Sequence, residues 1–236
     1  MKKLVVGLLV CVSSIAFASG GDGQLQNAHI QPDNVVSLQN GAKLYVNYCY
    51  GCHSLEYQRY ERLALDLGIP NDLVIQNLMF TGEKIGEQMK IAMKKDDAAR
   101  WFGAPPPDLA LIARSRSPDW VYTYLKSFYK DEKRPYGVNN LVFPNVGMPH
   151  VLESLQGMQA KTDEHGLELV QQGTMNAEEY DSAARDIANF LHYVGEPMKQ
   201  DRKVIGIYVT LFLLAFFAVA YLLKKEYWKD VYPDGH

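Results

Sequence analysis

The stretch Cys49-Tyr50-Gly51-Cys52-His53 is a single C-x-x-C-H run, which is the attachment pattern of a c-type haem. The two thiols are spaced to bond the vinyl groups of the porphyrin. The adjoining imidazole is placed to become an axial ligand of the iron. The sequence therefore predicts one covalently attached haem c, held by Cys49, Cys52 and His53.

Two other kinds of site also use a C-x-x-C pair. A thioredoxin-like redox motif requires a βαβ context and makes no use of the adjoining His. A structural zinc site requires further ligands at a recognisable spacing, and the chain has only one other cysteine, Cys11. The run favours haem over both alternatives.

The N-terminus has the three parts of a secretory signal. Met1-Lys2-Lys3 is charged, Leu4 to Phe17 is apolar, and Ala16-Phe17-Ala18 is a small-residue cleavage pattern. We predict a signal peptide over residues 1–18. An uncleaved anchor helix is the alternative, although the apolar run is short for a membrane span. Export agrees with the haem motif, because haem is attached to C-x-x-C-H outside the bacterial cytoplasm.

A second apolar run, VIGIYVTLFLLAFFAVAYLL, extends from Val204 to Leu223 without a charge. A helix of this length is roughly 30 Å long, which matches the hydrocarbon thickness of a bilayer. We predict a transmembrane anchor over residues 202–224 and a cytoplasmic tail over 225–236. The signal peptide then places the head, residues 19–201, on the periplasmic side of the bacterial inner membrane.

The predicted head is acidic, with 17 Lys and Arg against 24 Asp and Glu, a formal charge of −7. This balance disfavours a nucleic-acid partner. It would attract a basic soluble protein by long-range steering, or it simply keeps the head in solution. The sequence leaves these two interpretations open.

Apolar spacing and capping residues predict that the head consists mainly of helices and long loops. The predicted helices run from an N-cap at Ser37 to Tyr48, over 72–79, 83–100 and 119–129, and from a capping box at Asn176 and Glu179 to about Val194. Residues 130–149 have loop composition, and 150–173 is ambiguous, with a short hairpin as one alternative. The predicted fold class is mainly α, with one C-terminal transmembrane helix.

The residue on the far side of the iron is not decided by spacing. The methionines of the mature chain are all candidates: Met79, Met89, Met93, Met148, Met158, Met175 and Met198. Met148 and Met175 stand out because each follows a loop, whereas Met89 and Met93 have the spacing of helix packing. His150 is a competitor. Thioether ligation would suit an electron carrier because it raises the haem potential.

Several further motifs resemble those of the cytochrome c1 family, the haem subunits of quinol–cytochrome c reductase (bc1) complexes. They are Ser54-Leu55 and Arg59-Tyr60 after the haem motif, Gly103-Ala104-Pro105-Pro106-Pro107-Asp108-Leu109 leading to Arg114 and Arg116, Phe143-Pro144, Gly147-Met148-Pro149, Thr174-Met175, Asp186 to Leu191, Glu196-Pro197 and the C-terminal span. The resemblance covers essentially the whole mature chain. Between Tyr60 and Gly103 the chain is more compact than its longer relatives.

This resemblance implies a c-type cytochrome-like helical head and assigns roles to individual residues. The axial thioether falls on Met175, whereas Met148 belongs to a haem-side loop that does not bind iron. The carbonyl of Pro107 is implied as the partner of the second ring nitrogen of His53. Arg116 is implied to face a haem propionate, with Arg114 as the near competitor.

The implied function is one-electron transfer. The chain would carry electrons from a Rieske iron–sulfur subunit to a soluble cytochrome c or an equivalent acceptor. It would assemble with cytochrome b in a dimeric complex and would not be an enzyme on its own. The alternatives are a membrane-tethered carrier that serves a terminal oxidase, a haem peroxidase with an open sixth position, and a structural subunit whose haem is incidental.

Overall fold

The computed structural model describes residues 25–162 and 166–229, so the predicted signal peptide and residues 230–236 lie outside the described residues. The described residues are mainly helical, as predicted. They form nine helices: α1 Val35–Tyr48, α2 Tyr60–Leu67, α3 Asn71–Asn77, α4 Lys95–Phe102, α5 Ile112–Ser115, α6 Pro118–Lys126, α7 Glu153–Gln156, α8 Ala177–Gly195 and α9 Lys199–Tyr227.

Six short strands pair into three two-stranded antiparallel sheets. The strands are β1 Leu55–Arg59, β2 Gln88–Met89, β3 Phe128–Lys130, β4 Val138–Asn140, β5 Gly157–Lys161 and β6 Leu167–Gln172, paired as β1–β2, β3–β4 and β5–β6. The hairpin considered for 150–173 is therefore present as β5–β6. The small sheets connect helices and do not form a separate layer.

The packing of α1 against α8 forms the centre of the main core. The rings of Tyr45 and Phe190 meet with centroids 5.7 Å apart, and both side chains are fully buried. The crossing is so close that a Cβ added to Gly41 would lie 2.1 Å from the Asp186 carbonyl oxygen and 2.6 Å from the Phe190 Cβ. A glycine is therefore required where the two helices meet.

Of the predicted N-terminal caps of these two helices, one is wrong and one is confirmed. The α1 helix begins after Asn34, whose side chain accepts the Ser37 N–H, so the predicted cap at Ser37 is wrong. The Ser37 hydroxyl instead donates to Asp186 on α8 at 2.6 Å. The capping box of Asn176 and Glu179 at the start of α8 is confirmed.

The predicted helix over 83–100 is wrong. A turn occupies its first part, because the Glu87 carboxylate accepts the backbone N–H groups of Glu83 and Lys84. Met89 then pairs with Leu55 in the β1–β2 sheet, and only Lys95–Phe102 is helical. This long-range pairing outweighs the local helical pattern.

The region from 119 to 149 also differs from its prediction. The helix begins at Pro118 after the cap Ser117 and ends at Lys126, because Phe128 enters strand β3. Part of the predicted loop is strand β4, where Asn140 is fully buried and its side chain donates to the Tyr124 carbonyl at 2.8 Å. Buried amide side chains therefore stabilise a stretch whose composition indicates loop.

A smaller core lies beside this sheet. Phe128, Val138 and Val146 form it. The His150 ring stacks on Phe128 with centroids 4.8 Å apart. Burial lowers the pKa of His150 to about 4, so the imidazole is neutral at physiological pH.

The C-terminal helix α9 extends away from the head. Its Asp201–Tyr227 part is the one helix among the described residues that is long and apolar enough to cross a membrane, and it is not buried against the head. Its first turn is tied to the head, where Arg202 pairs with Glu196 and Lys199 contacts His192. The helix fits a single-pass membrane anchor.

The helix crossing leads to a stability prediction. Gly41→Ala should lower the free energy of unfolding by about 1–3 kcal/mol, because the methyl group has no space against backbone atoms of α8. Gly206→Ala is the matched helical control, since a Cβ at Gly206 meets nothing within 4 Å. Thermal unfolding of the haem-loaded protein measures both. If the Gly41→Ala and Gly206→Ala variants have equal melting temperatures, the helix crossing is not as close as described.

Candidate functional site

The C-x-x-C-H run forms a tight turn at the end of α1. The Cys49 and Tyr50 N–H groups both donate to the Tyr45 carbonyl, at 2.8 and 2.9 Å, and the His53 N–H donates to the Cys49 carbonyl at 2.9 Å. The Cys52 N–H also donates to the Cys49 carbonyl, at 3.1 Å, so the backbone of the whole run is one hydrogen-bonded turn. Cys49 and Cys52 are not joined in a disulfide, so both sulfurs are available for thioether bonds.

The His53 side chain is held in one orientation. Its Nδ1–H donates to the Pro107 carbonyl oxygen at 2.7 Å, and the residue is only 9% exposed. A carbonyl can only accept, so the proton is on Nδ1 and the lone pair on Nε2. Burial lowers the pKa of His53 below its usual value, which favours the neutral form that binds iron.

The backbone around His53 is also fixed. The Tyr45 hydroxyl, which is buried, donates to the His53 carbonyl at 2.5 Å. On the other side, the Leu109 N–H donates to the Ser54 carbonyl, and the Asp108 carboxylate accepts the Glu56 N–H. The proline-rich segment is thus bound along the residues that follow the motif. Its extended prolines present the Pro107 carbonyl to the imidazole.

Met175 lies immediately before α8 and is held by its backbone. Its N–H donates to the Leu155 carbonyl at 3.0 Å, and its carbonyl accepts the Gln172 side-chain amide at 2.8 Å. Its partly buried side chain packs on the same core that contains Cys49 and Tyr50. The helix crossing therefore brings the motif and Met175 to one core, although they are 122 residues apart in the sequence.

Four of the other candidate methionines have different surroundings. Met148 accepts the Tyr124 hydroxyl at 3.3 Å, and Met198 accepts from Arg62. Met89 is fully buried in strand β2. Met158 packs against the smaller core, which contains Phe128. These contacts give each of the four side chains a protein partner.

The two arginines of the proline-rich region extend in different directions. The Arg116 guanidinium lies over the Trp120 ring, 5.5 Å from its centroid. A side-chain carbon of Arg114 lies against Gly195 near the end of α8. Both residues are exposed. The choice of propionate partner between them stays a prediction.

The donor set fits a c-type haem. Two unpaired thiols, an imidazole with a free Nε2 and a partly buried thioether are the groups that such a haem needs. Within residues 25–162 and 166–229, no group of three or more His, Cys, Asp and Glu side chains is arranged to hold a metal ion directly.

Sequence reasoning assigned no role in the site to three of the residues that shape it. Tyr45, Ser54 and Gln172 act through hydrogen bonds to or beside the predicted ligands. From the sequence, Tyr45 is only one residue within the predicted helix that ends at Tyr48. The sequence signal that could have found Tyr45 is its spacing. It lies four residues before Cys49, and residues four apart lie on the same side of a helix.

The fold and the site define a membrane-anchored c-type cytochrome with one haem. The cytochrome C1 family model matches residues 29–231, which is most of the chain. The chain belongs to the cytochrome c1 family. It is an electron-transfer c1 subunit that carries a covalently bound haem c.

Three relatives are similar to this chain, and two of them are named cytochrome c1 or cytochrome b/c1. The chain is 53% identical to cytochrome c1 of Allochromatium vinosum, over 98% of this chain and all of the relative. It is 43% identical to a Nitrosomonas europaea protein named ammonia monooxygenase gamma subunit, over 98% of this chain and 99% of the relative. It is 28% identical to cytochrome b/c1 of Bradyrhizobium diazoefficiens, over 82% of this chain and 33% of that longer protein.

The Tyr45 hydroxyl should matter for the site. Tyr45→Phe leaves the buried His53 carbonyl without its donor and should cost about 1–3 kcal/mol of stability. Tyr48→Phe, on the same helix, is the control and should change stability by less than about 0.5 kcal/mol. The measurement is thermal unfolding followed by haem absorbance. If the two variants unfold at the same temperature, the hydrogen bond contributes nothing.

Proposed function

We propose that this chain accepts electrons from a Rieske iron–sulfur subunit and passes them to a soluble cytochrome c or an equivalent carrier. The observation that carries the proposal is the seating of His53, with Nδ1 bonded to Pro107 and Nε2 left for iron. The bound haem supplies reversible one-electron exchange at its iron. The chain's own residues attach, orient and tune it.

Cys49 and Cys52 would hold the porphyrin covalently, and His53 and Met175 would bind its iron. The Pro107 carbonyl accepts a hydrogen bond from the Nδ1–H of His53. This bond would make Nε2 a stronger electron donor to the iron. The hydrogen bonds to the Met175 N–H and carbonyl fix the backbone from which its side chain extends. A thioether ligand from Met175 would favour the reduced iron and raise the haem potential, as a subunit that accepts electrons from a high-potential donor needs.

The topology follows from the two apolar segments of the sequence. We assign residues 1–18 to a signal peptide, 19–201 to an exported head, 202–224 to the anchor and 225–236 to a cytoplasmic tail. The helix Lys199–Tyr227 supports the anchor. The head then lies on the periplasmic side of the bacterial inner membrane.

The family supports assembly in a bc1 complex with cytochrome b. We propose that this complex is dimeric. Quinol oxidation takes place elsewhere in the assembly. The chain by itself needs no acid–base residue, because an electron transferred between two cofactors makes and breaks no bond on this chain.

The axial assignment can be tested with matched methionine variants. Met175→Leu should lose the sulfur-to-iron charge-transfer band and lower the midpoint potential by on the order of 100 mV, since axial ligands set potentials over about 0.8 V. Quinol–cytochrome c activity should fall with it. Met148→Leu is the control and should keep the band. The assignment is wrong if Met148→Leu loses the band and Met175→Leu keeps it.

A further inference from the structure

Helix α2 of the head lies beside the start of the membrane anchor. The Arg62 guanidinium donates to the Met198 sulfur at 3.1 Å, and Met198 directly precedes α9. The Tyr193 hydroxyl, near the end of α8, donates to the Asp66 carboxylate at 2.7 Å, and Asp66 also pairs with Arg62. These contacts hold α2 at the point where the chain leaves the head.

The sequence of the anchor sets the height of these contacts above the membrane. The uncharged apolar run begins at Val204, six residues after Met198. At about 1.5 Å per residue, Met198 lies within about 9 Å of the hydrocarbon edge, and closer to it if the helix is tilted. The headgroup layer on each side of a bilayer is about 5–8 Å thick. The part of α2 around Arg62 therefore lies at the outer border of the headgroup layer.

An exposed apolar side chain occupies this part of α2. Leu65 is 76% exposed, and it neighbours Arg62 because residues three apart lie side by side on a helix. Leu65, Ile69 and Pro70 line one groove together with Arg59 and Arg62. This α2 groove thus combines apolar and basic side chains beside the anchor.

The charges that line the α2 groove are two arginines and one carboxylate, Glu61. Arg62 is paired with Asp66. Arg59 is exposed and donates to the Gly86 carbonyl, and within residues 25–162 and 166–229 it takes part in no ion pair. A guanidinium has five N–H donors in a geometry that matches phosphate, so Arg59 can bind a phosphate as well.

We propose that the α2 groove rests on the phospholipid headgroups of the membrane that the anchor spans. Leu65 enters the boundary between headgroups and acyl chains, and Arg59 binds a lipid phosphate. This contact gives the head a second attachment to the membrane, which fixes its tilt relative to the anchor. The inference goes beyond the proposed function and depends only on the anchor, whatever donor and acceptor the haem serves.

The composition of the groove favours lipid over a protein partner. Membrane-surface elements combine apolar side chains that enter the boundary with cations at the level of the phosphates, as Leu65 and Arg59 do here. A stable protein interface buries about 800 Å² on each partner and has an apolar centre. The α2 groove exposes one large aliphatic side chain, with Ile69 half-buried beside it.

The test places a fluorescent label at Leu65 in the whole membrane complex. Leu65→Cys is labelled with bimane, and the complex is reconstituted in vesicles that contain a phospholipid with a nitroxide on its headgroup. We expect this lipid to quench the label at least about twofold, and a lipid with the nitroxide at the end of an acyl chain to quench it less, because surface elements enter only about 5–10 Å. The wild-type complex, labelled in the same way, gives the background.

Val36→Cys is the matched control. Val36 is 66% exposed, and its neighbour Ser37 bonds to Asp186, about two helical turns before Tyr193 on α8. The label at this position should show little quenching by either lipid. An unchanged haem absorption spectrum shows that each labelled complex is folded.

A charge variant tests the phosphate contact separately. Adding Arg59→Gln to Leu65→Cys should roughly halve the quenching by the headgroup nitroxide, because a charge-assisted hydrogen bond to phosphate is lost. Lys43→Gln removes the same charge from an exposed position on α1 and should leave the quenching unchanged.

Two results would overturn the inference. In the first, the labels at Leu65 and Val36 are quenched equally. In the second, Leu65→Cys reacts with bimane only after the complex is dissociated, or a photoactivated crosslinker on it captures cytochrome b, which would make the groove a contact between subunits. Quenching does not require electron transfer, so a complex whose haem quinol fails to reduce would refute the proposed function and leave this inference standing.

Discussion

The close crossing of α1 and α8 at Gly41 is the constraint on which the rest of the structure depends. The helix that ends in the C-x-x-C-H turn and the helix that begins after Met175 meet there, backbone against side chain. Ser37, Asp186 and Asn189 add hydrogen bonds beside the crossing. Without this contact, the two groups proposed as axial ligands would have no common core.

The remaining parts of the head support this arrangement from two sides. The proline-rich segment is bound along residues 53–56 and presents a carbonyl to the imidazole. Helix α7 and the end of β6 hold the Met175 backbone. The chain after α7 and the chain after β6 approach so closely that Gly157 and Gly173 have no space for a Cβ. Each proposed ligand is thus oriented by hydrogen bonds from a different part of the chain.

The sequence was sufficient for features whose signal is local. The haem motif, the capping box at Asn176 and the apolar anchor each depend on neighbouring residues, and the last two are present in the structure. The family assignment is confirmed by the comparisons. The secondary-structure prediction failed where distant partners decide the conformation. Met89 and Phe128 were both predicted to be helical, but Met89 pairs with Leu55 and Phe128 pairs with Asn140 in strands. The hydroxyl of Tyr45 and the amide of Gln172 were missed for the same reason, since their bonds to the backbone appear only once the chain is folded.

The central claim is that this chain functions inside a complex with cytochrome b and a Rieske protein. Native gel electrophoresis of gently solubilised membranes, with haem staining followed by mass spectrometry of the stained band, tests it most directly. The account predicts that peptides of this chain, cytochrome b and the Rieske protein occur together in one haem-positive band. A haem-positive band that contains this chain without either partner would contradict the account and would support a separate membrane-tethered carrier.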